Sequence, residues 1–166
     1  LDYGALLYYY PNTNNWSQPL QGPPANSYGD GTNMALDESG NAYICRGQGT
    51  TTCYMYTIAT NTWTALNAAP ASLSYTSIAY FGGILYVTTN NGTISNAFYS
   101  YNLSTGVWST LTAAAVGPTP TPMSFMEGSS LVASSSASIF ATRGGLWGYQ
   151  NFLKFDGSAW TAKTNI

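Results

Sequence analysis

A hairpin that ends on tryptophan recurs four times along these 166 residues. Its fullest copy reads F-Y-S-Y-N-L-S-T-G-V-W at 98–108, and the others are Y-Y-Y-P-N-T-N-N-W at 8–16, Y-M-Y-T-I-A-T-N-T-W at 54–63 and L-K-F-D-G-S-A-W at 153–160. Each copy carries bulky residues at alternate positions, then a polar turn, then the indole. Successive tryptophans stand 47, 45 and 52 residues apart. A repeat of that length marks an array of small units, none of which can bury its apolar surface until its neighbours stack on it.

The stretches between the copies fill out the same unit. Period-2 alternation bounded by Gly, Asn and Pro predicts strands at 6–10 and 16–20, then 33–37, 42–45, 53–58 and 62–66, then 76–80, 84–88, 97–102 and 107–111, and finally 130–134, 138–143, 151–155 and 159–163. Gly82-Gly83 and Asn91-Gly92 supply the positive-φ residues that tight hairpins require. The Ala-rich stretches at 68–71 and 113–115 are too short and too close to proline to hold helices. The expected chain is all-β: an outer hairpin of an incomplete unit at 1–20 and three four-stranded units at 21–66, 67–111 and 112–166.

The order of residues in the last unit, Gly144-Gly145, then Phe155, then Trp160, resembles a blade of the kelch-type β-propeller family. In the unit at 21–66 the glycine pair is replaced by Arg46-Gly47-Gln48-Gly49, and in the next unit Gly82-Gly83 stands one hairpin early. The resemblance implies four-stranded antiparallel blades packed radially, with Trp16, Trp63, Trp108 and Trp160 filling the wedge between neighbours. Propellers close with about four to eight blades, so three and a half imply a segment of a longer ring or an assembly of several chains. Head-to-tail contacts that fail to close would build a filament. Trp147 and Tyr149, in a loop between strands, are the candidates for ligand contact.

Composition narrows the function. Only 6% of residues are charged, the net charge is −2 and the few Lys and Arg are scattered, so the counterion release that drives nucleic-acid binding has no source. No apolar run is long enough for a membrane-spanning helix. Without a histidine, Ser-His-Asp and Cys-His catalysis and histidine metal sites are excluded from this sequence. The adjacent pair Asp37-Glu38 would face opposite ways on a strand, and is expected as a solvated turn rather than an acid/base pair. No cofactor and no metal is implied.

Cys45 and Cys53 flank R-G-Q-G-T-T-T, a hairpin loop, and are expected to close a disulfide, the alternative being two buried thiols. Asn15, Asn91 and Asn102 satisfy the N-glycosylation triplet in turns or at strand ends. These features point to a non-catalytic, extracellular, secreted or surface-borne scaffold whose partners are proteins, carbohydrates or further copies of itself. The alternatives are a carbohydrate-binding propeller and a piece of a secreted enzyme whose catalytic residues lie elsewhere.

Overall fold

The computed structural model describes residues 6–18, 20, 22, 24, 28–29, 31–90, 97–114, 125–134, 138–144 and 152–163. These contain β-strands and no helix. A two-stranded hairpin, β1 (Tyr9–Tyr10) and β2 (Asn15–Trp16), comes first. Three four-stranded antiparallel sheets follow, each with its strands in chain order. The second sheet holds β3 (Asn33–Leu36), β4 (Asn41–Cys45), β5 (Cys53–Thr57) and β6 (Thr62–Ala65). The third holds β7 (Ser77–Phe81), β8 (Ile84–Thr89), β9 (Ala97–Asn102) and β10 (Val107–Thr110). The fourth holds β11 (Ser130–Ala133), β12 (Ile139–Thr142), β13 (Phe152–Phe155) and β14 (Trp160–Ala162).

Every last hairpin is built the same way. An aromatic residue stands directly opposite the tryptophan: Tyr9 with Trp16, Tyr56 with Trp63, Tyr101 with Trp108 and Phe155 with Trp160. Their ring centroids lie 5.1, 4.8, 4.9 and 5.3 Å apart. Such cross-strand aromatic pairs hold the register of the hairpin. A left-handed residue reverses the chain two positions before three of the tryptophans: Asn14 (φ 53°), Asn61 (φ 55°) and Gly106 (φ 70°). In the first two copies the partner tyrosine locks that turn, Tyr9 Oη donating to Asn14 Oδ1 at 2.7 Å and Tyr56 Oη to Asn61 Oδ1 at 2.6 Å.

The first strands run side by side, β3 against β7 and β7 against β11. Side chains alternate between the faces of the third sheet and so feed two cores. Leu85, Val87 and Tyr101 meet Tyr43, Cys45 and Cys53 of the second sheet, while Phe98 and Ala79 meet Ile139, Leu153, Phe155 and Trp160 of the fourth. Removing a large apolar side chain from water contributes roughly 1.5–3 kcal/mol, so a sheet covered on both faces gains twice from its neighbours.

Two of the indoles join their sheet to the one before it. Trp108 Nε1 donates to the Asn67 carbonyl at 2.8 Å and Trp160 Nε1 to the Thr112 carbonyl at 3.0 Å, both acceptors standing just past the last strand of the preceding sheet. Trp160 is 7% exposed, and Trp63 and Trp108 are half-buried. Trp16 departs from the expectation of packing, for it is 63% exposed. No sheet among the described residues precedes its hairpin, so that face of the indole meets nothing equivalent.

Candidate functional site

The chain enters each first strand through one kind of turn. Two residues before β3, β7 and β11 stand Gly31 (φ 80°), Tyr75 (φ 48°) and Gly128 (φ 78°), all left-handed. The next residue is a hydroxyl in every case: Thr32, Thr76 and Ser129. Because the first strands are neighbours, the three turns meet. The Thr76 amide donates to the Gly31 carbonyl at 3.3 Å and Ser77 Oγ to the Ser129 carbonyl at 2.8 Å. Close backbone approach is a condition of this junction: a Cβ on Gly31 would collide with the Tyr75 backbone, and one on Gly144 with the Glu127 carbonyl and the Ser129 amide. Only glycine fits at such contacts.

Between the turns lies a cleft of about 330 Å³, walled by Thr32, Asn33, Tyr75, Thr76, Glu127 and Ser129 among others. The three equivalent hydroxyls differ in their bonding. Thr32 Oγ1 shares its proton between the carbonyls of Gly29, at 2.8 Å, and Arg46, at 2.6 Å. Ser129 Oγ donates to the Met126 carbonyl at 2.7 Å and accepts the amides of Met126 and Gly144 at 2.9 and 3.0 Å. Thr76 Oγ1 is enclosed and has no partner. In the middle turn Leu73 offers its carbonyl to the Gly49 amide instead, and Thr89 Oγ1 bonds both the amide and the carbonyl of Ser74. An unpaired buried hydroxyl costs about 1–3 kcal/mol, and the left-handed backbone of a bulky residue such as Tyr75 adds about 1–3 kcal/mol of strain.

The lining is chemically simple. Among the described residues Glu127, exposed at the rim, is the one charged side chain that walls the cleft, and hydroxyls, an amide, a phenol and a thioether make up the rest. Asn33 Oδ1 caps the amide of Met34 at 2.9 Å, which leaves its Nδ2 hydrogens for other acceptors. Among the described residues no three Cys, Asp or Glu gather as metal ligands would. The wall therefore offers neutral donors and acceptors with a single carboxylate acceptor. Sequence reasoning missed this site. The only sign of it was a hydroxyl residue one position before each first strand, with glycine before it in two of the three cases.

The other expected residues that the structure describes do not line the cleft. Cys45 and Cys53 form a disulfide with an S–S length of 2.07 Å, directly opposite one another on β4 and β5 and fully buried. Asn15 is exposed on β2. Asn102 turns its Oδ1 inward to accept the amides of Ser104 and Thr105 at 2.9 and 3.0 Å. Asn91, Trp147 and Tyr149, with the glycan and ligand roles expected of them, lie outside the described residues.

The Asp37-Glu38 pair stands at a turn with Glu38 exposed, as expected, but Asp37 itself is not simply solvated. It is half-buried and its carboxylate accepts from the Ser39 and Asn41 amides, Asn41 Nδ2 and Tyr43 Oη at 2.8–2.9 Å. Burial alone would push its carboxyl up, but these donors outweigh it and the group sits below the ordinary carboxylate value. Tyr43 is pushed up, first by burial and then by its bond to Asp37. Its ring stacks on Tyr80 at 6.1 Å, so the turn braces the second sheet against the third.

No family model matches the sequence, and no curated protein does either. The solved structure of YjhT is similar to this chain at 20% identity and a TM-score of 0.63. The match covers 82% of this chain and 50% of that one, so the chain spans half the length of that structure. A likeness at that identity speaks to the fold.

Proposed function

We propose that this chain is a segment of a kelch-type β-propeller and serves as a non-catalytic scaffold for interaction outside the cell, secreted or on a surface. One observation carries the reading: each indole of β10 and β14 is bonded to the exit of the sheet before it, while the first strands stay side by side. That is how radially stacked blades share their cores. A disulfide, which persists in oxidising compartments, is in keeping with a place outside the cell. The connections between sheets are the variable surface, held on rigid strands.

The two ends of the stack favour association with further blades. At one end the hairpin presents Tyr9 and Trp16, 40% and 63% exposed. At the other, β11 presents Val132, 59% exposed, beside the stacked rings of Phe140 and Phe152 at 5.5 Å. In the interior of the stack the equivalent faces cover one another. Native mass measurement at micromolar concentration is expected to find assemblies of more than one copy, which Trp16→Ser or Val132→Lys reduces toward monomer. A lone copy that unfolds in a single cooperative step would overturn self-assembly.

A further inference from the structure

We propose that the cleft where the three turns meet is a binding site for a small, neutral, polyhydroxylated ligand, a saccharide of one or two rings. The proposal stands independently of how many blades or copies assemble, since all three walls belong to this chain.

Four observations carry it. The cleft, about 330 Å³, lies at the small end of the range for ligand sites, large enough for a sugar ring and too small for a folded segment. Among the described residues its wall pairs hydroxyls and a carboxamide with one carboxylate and holds no lysine or arginine for an anion. Vicinal hydroxyls both donate and accept, which suits Glu127 as an acceptor beside the free Nδ2 hydrogens of Asn33. A lone carboxylate in contact with water attracts a simple cation only weakly.

The third observation is the Thr76 hydroxyl. The same position in the neighbouring turns is fully bonded within the protein, at Thr32 and at Ser129. Thr76, 3% exposed, alone of the three is left without a partner, and it stands in the wall of the cleft. Because that oxygen is enclosed, a ligand hydroxyl completes it when the Thr76 side chain turns its hydroxyl toward the cleft. The fourth is the left-handed Tyr75, where the corresponding residues of the other turns are glycines. That conformation keeps a large phenol-bearing side chain at the cleft in a place where glycine would be easier for the backbone. Unsatisfied groups and backbone strain held together at one concave surface are the marks of a site retained for a ligand.

Saturation-transfer NMR on the whole chain tests this with glucose, galactose, mannose and N-acetylglucosamine as probes and choline as a cation control. Transfer to the ring protons of at least one sugar, and none to choline, is expected. Glu127→Gln and Thr76→Val are each expected to weaken that binding by about tenfold or more, the loss of one hydrogen bond to a ligand. Thr76→Val should at the same time melt no lower than the parent, because the hydroxyl it removes has no partner inside the protein. Transfer to none of the sugars, transfer to choline alone, or sugar binding that both variants leave unchanged would each overturn the proposal. So would a Thr76→Val protein that melts well below the parent and still binds normally, since the hydroxyl would then be serving the fold.

Discussion

Two aspartates make stability depend on acid pH, each by gathering donors around a turn. Asp156 accepts the amides of Ser158 and Ala159 and the Ser158 hydroxyl at 2.9–3.0 Å, and these bonds lower its carboxyl to about 2. Asp37, lowered in net by the donors around it, behaves alike. A group whose folded pKa lies below its unfolded value contributes stability that is whole above the unfolded value, near pH 4, and is lost as pH falls through the folded one. Tm is therefore expected to hold between pH 7 and pH 5 and to drop between pH 4 and pH 2. Asp156→Asn, which keeps an oxygen acceptor but cannot titrate, should flatten part of that drop; thermal melts with the same slope as the parent across the window would count against it. At this scale the sequence was only half legible. Asp37 could be placed in a turn, but one of its donors is Tyr43 on the next strand, whose ring stacks on Tyr80 of another sheet.

Among the elements, the four tryptophans are alike in sequence and unequal in environment, and that inequality predicts their weights. Trp160→Ala removes a side chain packed against Phe98, Phe125 and Phe155 and strands the Thr112 carbonyl. It should cost about 3–5 kcal/mol. Trp16→Ala, at an exposed face, should stay within about 0.5 kcal/mol for the single copy. Urea unfolding of the two variants under dissociating conditions checks the contrast, and equal losses would mean that Trp16 is packed in solution. Strand positions were readable almost to the residue, because alternation and turn residues agree in every hairpin. The exception is the first, expected over 6–10 and 16–20 and found as Tyr9–Tyr10 and Asn15–Trp16 with an isolated bridge between Leu6 and Leu20. Its pairing is limited to one partner strand, so short-range alternation overstated its length.

For the whole molecule, the spacing of the indoles foretold the number of sheets, whereas the cleft could not be foretold. Its walls come from residues 31–33, 75–76 and 126–129, which are brought together only when three first strands lie side by side. The disulfide tests how firmly those sheets are closed. Its cysteines are fully buried in the core between the second and third sheets, so reductant should reach them only when that core opens. Cys45→Ala with Cys53→Ala should lower stability by about 2–3 kcal/mol, and alkylation after mild reduction of the native protein should leave both sulfurs unmodified; rapid labelling would show that the core opens readily.

The indole bonds also have a direction in time. Asn67 precedes Trp108 and Thr112 precedes Trp160, so the acceptor is always made before its donor. A ribosome releasing this chain from its N-terminus therefore presents the third and fourth sheets each with a finished dock. Growth can then proceed one sheet at a time.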